Sequence, residues 1–276
     1  MKTIIVPTDF SATAFSAARY AAALAEKLNT TLTLFHAFPI PLSYSEVPVP
    51  PQVFTALQKD AEDFIEQAKK DLQAVIPAGL IIKTTICPGR LLTGLHELCE
   101  ETEPYAVVMS SHGNTGLEHF LFGSETSSTL KHLSCPLIVV PRGATFKSPE
   151  RILLACDLED VKATVPADMI KDLVHTFNAR LYVLHVHDSH DKPYNDEVMN
   201  GTADLQEMLA DLHPSFHFTD SKDITETILR FVETNEIDLV IGFPKKRNLL
   251  ENLFHKSKSK AIAEETFVPF FAFHEK

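Results

Sequence analysis

The chain has 276 residues, a formal net charge of −12 at pH 7, and 45% hydrophobic against 22% charged residues. That balance excludes disorder and collagen-like repeats, and the length suits two domains of about 140 residues each. The acidic excess argues against nucleic acid as a general partner, and nothing approaches the run of about 18 apolar residues that a membrane span needs. Met1–Pro7 leads straight into a strand, leaving no room for a signal peptide, so a cytoplasmic location is expected.

In chain order, Lys2–Pro7 is a short apolar run that predicts a first strand. Thr8-Asp9-Phe10-Ser11 follows with two candidate N-caps for an Ala-rich helix over Ala12–Leu28. Thr31–Phe38, rich in β-branched and aromatic residues, reads as a second strand. A Pro-rich loop, Pro39–Pro51, leads into a long polar-faced helix over about 52–75. Leu80–Ile86 predicts a strand, Leu91–Glu101 a helix, Tyr105–Ser110 a strand, Ser124–Leu133 a short helix, and Pro136–Val140 a last strand. Apolar strands alternating with helices predict an α/β fold, an open five-stranded parallel sheet covered on both faces.

Residues 143–150 are turn formers and polar groups, and read as a linker between a domain over 1–142 and another over 151–276. After the linker the pattern restarts. Ile4-Ile5-Val6-Pro7-Thr8-Asp9 matches Ile152-Leu153-Leu154-Ala155-Cys156-Asp157, and Leu34-Phe35-His36-Ala37 matches Val183-Leu184-His185-Val186. Tyr105–Met109 matches Ile237–Ile241, and Cys135–Val140 matches Val268–Phe273. Four landmarks in one order mean an internal duplication.

The strongest chemical signal follows the fourth strand: Met109-Ser110-Ser111-His112-Gly113-Asn114-Thr115-Gly116, then Gly123-Ser124-Glu125-Thr126. Small residues let backbone approach a ligand, and Gly113 and Gly116 allow positive φ. Gly123-Ser124 opens a helix whose first N–H groups, with the Ser124 and Thr126 hydroxyls, suit a phosphate. The plainer reading is a Gly-containing turn before a Ser-capped helix.

On these residues the chain resembles a tandem universal stress protein with two UspA-type domains. Nucleotide-binding members carry Gly-x-x-Gly, nine residues, then Gly-Ser or Gly-Thr. Gly113 and Gly123-Ser124 fill the second and third places, and Ser110 stands where the first Gly would be. The resemblance implies an adenine-nucleotide alpha-hydrolase-like fold and a site for ATP or another adenine nucleotide, with or without Mg. In it Asp9 contacts the adenosine, Pro7, Thr8, Ala37 and Phe38 line the adenine pocket, and Met109, Ser110, His112, Gly113, Gly116, Gly123, Ser124, Glu125 and Thr126 complete the nucleotide-binding residues. It also implies a regulatory or protective role. Pairing would run through the terminal strands Leu137–Val140 and Phe270–Phe273, inside one chain or in a homodimer, hiding otherwise open edges.

The second half departs from this motif. Gly242-Phe243-Pro244-Lys245 and His255-Lys256 replace the small residues, within a basic loop over Lys245–Lys260 that reads as a solvated face, another anion site or a docking surface. One nucleotide site, in the first half, is therefore expected. His185 and His187 share a strand face, but the pairing of His185 with His36 favours a structural role over a metal site. Cys87, Cys99, Cys135 and Cys156 form no Cys-x-x-Cys pair and are expected to be buried, reduced thiols. No catalytic constellation is visible, so at most weak ATPase activity is expected. The competing readings are a nucleotide-independent interaction module with both sites vestigial, and a nucleotide-using enzyme related by fold alone.

Overall fold

The computed structural model describes residues 2–40, 51–111, 129, 133, 135–188, 196–243 and 268–273. The chain divides into two compact units, residues 1–146 and 147–276. The division falls inside the segment 143–150.

In the first unit the strands are β1 (Thr3–Pro7), β2 (Thr31–Phe38), β3 (Ile82–Pro88), β4 (Ala106–Ser110) and β5 (Leu137–Val140), with helices α1 (Ala12–Lys27), α2 (Pro51–Gln73) and α3 (Leu91–Thr102) between them. They form a parallel sheet in the order β3-β2-β1-β4-β5. Every residue of β1, β4 and β5 is buried, the result of apolar runs without alternation.

Helix α1 starts where Ser11, in extended backbone, accepts a hydrogen bond from the Ala14 N–H through its hydroxyl. Its buried residues are the small Ala17, Ala18, Ala21, Ala22 and Ala25 together with Tyr20 and Leu24. Asn29 takes positive φ beyond the last turn, and the Thr30 N–H closes back on the Ala25 carbonyl. Helix α2 buries only Ala61, Ile65 and Leu72; its remaining surface is mostly polar, with Val53 and Phe64 exposed on it. Helix α3 approaches closely at Gly94, where a β-carbon would stand 2.8 Å from both the Phe35 ring and the Cys87 sulfur.

The second unit repeats this plan. Its strands are β6 (Arg151–Ala155), β7 (Arg180–Asp188), β8 (Ser215–Ser221), β9 (Leu239–Gly242) and β10 (Phe270–Ala272). Their order, β10-β9-β6-β7-β8, is that of the first unit with β6 in the place of β1. The helices are α4 (Val161–Thr164), α5 (Ala167–Phe177), α6 (Asp196–Met208) and α7 (Ile224–Thr234). Where the first unit has the single helix α1, the second has α4 and α5. Pro166 is the cause: the residue before a proline avoids helical backbone, and Val165 is extended at φ −89°, ψ 114°. Among the described residues no helix is long and apolar enough to cross a membrane.

Candidate functional site

The strand order places a crossover reversal at β1 and β4: from β1 the chain moves outward to β2 and β3, then returns to add β4 on the other side. In open parallel sheets ligands bind beyond the carboxyl ends of the strands at such a point. The carboxyl end of β1 is Pro7, followed by Thr8 and Asp9; that of β4 is Ser110, followed by Ser111.

The turn after β1 is tightly specified. The Thr8 N–H donates to the Phe35 carbonyl at 2.8 Å, and the Thr8 hydroxyl accepts from the Phe10 N–H at 3.0 Å. Asp9 Oδ1 accepts from the Ser11 N–H at 3.0 Å, an Asx turn that leaves the exposed carboxylate beside the start of α1. His36 Nδ1 lies 2.8 Å from the Thr8 carbonyl oxygen. A carbonyl only accepts, so Nδ1 carries the proton in this contact. Phe10 adopts φ 63°, a left-handed conformation that is costly with a β-carbon and concentrates at functional sites.

The second unit builds the same turn from different residues. Cys156 N–H donates to the Leu184 carbonyl at 3.1 Å, His185 Nδ1 meets the Cys156 carbonyl at 3.1 Å, and Asp157 Oδ1 accepts from the Glu159 N–H at 3.1 Å. Leu158 takes φ 65° where Phe10 takes 63°. The pairing of His36 with His185 thus corresponds to one device used twice, a ring that pins the carbonyl just before the aspartate.

Beyond the turn the units diverge. Phe10 remains 36% exposed, its ring 4.4 Å from that of His36 and 5.7 Å from that of Phe64 on α2. Leu158 is fully buried, because α6 crosses it at Gly201, whose added β-carbon would stand 2.0 Å from the Leu158 carbonyl oxygen. A cavity of about 470 Å³ beside this crossing is lined by Asp160, Lys162, Asn200 and Asp204, with Lys162 and Asp204 paired at 2.8 Å.

Of the residues singled out in the sequence, the structure brings Pro7, Thr8 and Asp9 to the end of β1, and Met109 and Ser110 to the end of β4. Met109 and Ser110 are buried, as is Ser111, whose N–H donates to the Val140 carbonyl at 2.9 Å. Ala37 and Phe38 end β2; Ala37 is half-buried, while Phe38 is buried with its ring 5.8 Å from that of Phe54. His112, Gly113, Gly116, Gly123, Ser124, Glu125 and Thr126 lie outside the described residues, as does the basic loop over Lys245–Lys260. Sequence reasoning overlooked Phe10 and His36 as parts of this turn. The signal for His36 was its recurrence as His185; for Phe10 nothing in the sequence announces positive φ. Among the described residues no cluster of three or more His, Cys, Asp or Glu side chains could hold a metal ion.

Comparison with known proteins identifies the relatives. The model of the universal stress protein family matches residues 1–141. A universal stress protein of Mycobacterium tuberculosis is 32% identical over 140 residues, 50% of this chain and 46% of that protein. The chain thus matches about half the length of that relative. The solved structure of a universal stress protein from Archaeoglobus fulgidus superposes over 99% of this chain and 98% of its own with a TM-score of 0.70, at 17% identity, a likeness of fold. Another solved universal stress protein, a complex with cAMP, is 19% identical over 50% of this chain with a TM-score of 0.40. With its family match over the first half and the α/β sheet order repeated in both, the chain belongs to the universal stress protein family.

Proposed function

We propose that the first unit binds ATP or another adenine nucleotide at the carboxyl ends of β1 and β4, and that occupancy of this site is the signal of a regulatory or protective protein. One observation carries the reading: the strained, doubly pinned turn that presents Asp9 stands at the crossover point of the sheet. In this reading the carboxylate and the polar Thr8 hold the nucleoside. The motif Gly113 to Ser124 supplies backbone N–H groups for the phosphates, to which a helix N-terminus is suited. Mg accompanies the phosphates when the nucleotide is a triphosphate.

The second unit serves as a built-in partner without a nucleotide. Two features support this. Lys245, His255 and Lys256 occupy the motif positions that small residues fill in the first unit. Independently, Leu158 is sealed under α6 where its counterpart Phe10 is exposed. Pairing through the terminal strands Leu137–Val140 and Phe270–Phe273, within a chain or in a homodimer, belongs to the same proposal, because apolar strands that end a sheet need cover. A cytoplasmic location also belongs to it.

Mass spectrometry of the small molecules released when purified protein is denatured tests the reading. Stoichiometric adenine nucleotide supports it. Protein that carries none, and takes up none from millimolar ATP, supports the nucleotide-independent interaction module instead.

A further inference from the structure

Two of the four cysteines, far apart in sequence, meet inside the first unit. Cys99 lies in the last turn of α3, and Cys135 stands two residues before β5. Their sulfurs are 2.7 Å apart across 36 positions of sequence, within about 0.7 Å of a covalent S–S bond. Both side chains are buried, at 5% and 8% exposure, while the other two cysteines sit on other elements: Cys87 in β3, Cys156 after β6 in the second unit.

We propose that Cys99 and Cys135 are a reversible dithiol–disulfide site whose oxidation closes a covalent ring around β4 and the whole motif from Ser110 to Thr126. The bond would tie the last turn of α3 to the entry of β5. Small-molecule disulfides are the co-reactant. A thiolate of the pair attacks one sulfur of the small disulfide, forming a mixed disulfide and expelling one small thiolate. The second protein thiol, losing its proton, then attacks the mixed bond and expels the other. Two protein thiols and one small disulfide become one protein disulfide and two small thiols, with two electrons passed to the small disulfide.

The environment sets the rate. The hydrogen bond with Cys99, reinforced by burial, pushes the Cys135 thiol well above its ordinary value. The attacking thiolate is therefore scarce in the closed fold, and exchange proceeds through local opening. Such a pair responds to sustained oxidising conditions and not to brief ones. The site is independent of nucleotide, so it stands or falls without reference to the function proposed above.

The test uses the full chain, unfolded and reduced, then refolded to equilibrium in buffers of oxidised or reduced glutathione so that burial does not limit access. Free thiols are alkylated with N-ethylmaleimide in denaturant and counted by intact mass, and bridged peptides are mapped. The expected result in oxidised glutathione is loss of two of the four alkylations, with one bridged peptide joining Cys99 to Cys135. A melting transition raised by about 5–10 °C, reversed by a reductant, is expected with it. Cys99→Ser and Cys135→Ser should each remove both effects. Four alkylated thiols after refolding in oxidised glutathione, or bridges that map to Cys87 or Cys156, would overturn the proposal.

Discussion

Replacing Gly201 with alanine sets two physical effects against each other. Gly201 lies inside α6, where alanine is favoured over glycine by about 1 kcal/mol of helix propensity. Yet the new β-carbon would stand 2.0 Å from the Leu158 carbonyl oxygen and 2.9 Å from its carbon, distances that real β-carbons do not reach. The obstacle is backbone, in a residue already held at φ 65°, and it cannot rotate aside as a side chain would. Relief requires α6 to lift by more than 1 Å from the turn after β6, opening the contacts around the fully buried Leu158 and Val161. Overpacking of this kind costs about 3 kcal/mol, so the net loss is about 2 kcal/mol, or roughly 6–8 °C in the melting transition of a unit of this size. Urea denaturation followed by circular dichroism measures it. Gly79→Ala is the control: no atom lies within 4 Å of its added β-carbon, so only backbone strain at φ 116° acts there. A Gly201→Ala chain as stable as the parent, or more stable, would refute the claim that α6 seals the second turn.

Further outcomes are expected from single changes. Ser11→Ala removes the hydroxyl that caps α1 and should cost about 1 kcal/mol in urea denaturation; no change would deny the cap a role. His36→Phe keeps the ring against Phe10 but loses the donor to the Thr8 carbonyl, and should weaken ATP binding several-fold in calorimetry while far-ultraviolet circular dichroism stays the same. Unaltered affinity would make His36 a packing residue only. The hydrogen bond from Lys171 holds the Asp211 carboxyl below its ordinary value. The stabilisation it brings is present above the unfolded-state value and is lost as pH falls through the lowered one, so Asp211→Asn should flatten the acid limb of the stability–pH profile. An identical acid limb would show the pair to be inert. NMR relaxation should give one tumbling time for both halves if the terminal strands pair within the chain, and two times if the halves are merely tethered.

Much of the fold was legible because its strands are uniform. Continuous apolar runs such as Ile4-Ile5-Val6 and Ala106–Met109 leave no face for water, and such strands with helices between them have one common solution, the covered parallel sheet. Helix starts were legible where a side chain supplies the cap, as Ser11 does for α1. The strand over Leu80–Ile86 instead runs Ile82–Pro88, because its register is set by pairing with β2, Leu32 against Ile82 through Phe38 against Pro88, which local composition does not encode. At the site, Asp9 was legible through its recurrence as Asp157. What escaped was tertiary: the ring of His36 reaching back 28 positions to the Thr8 carbonyl, the positive φ of Phe10, and the meeting of Cys99 with Cys135. The expectation of scattered, buried thiols holds for their burial in three of four cases; Cys87 is half-buried, and two of the others are adjacent in space.

We propose that one adenine nucleotide binds per chain, on the turn that carries Asp9. Isothermal titration of ATP into the full chain, with Mg present, tests it directly through three variants. Asp9→Ala removes the exposed carboxylate of that turn, Gly123→Arg places a long side chain in the motif proposed to hold the phosphates, and Asp157→Ala changes only the corresponding residue of the second unit. The expected stoichiometry is one, with affinity weakened by each of the first two changes and untouched by the third. Binding unchanged in both Asp9→Ala and Gly123→Arg, or a second site of similar affinity abolished by Asp157→Ala, would contradict it.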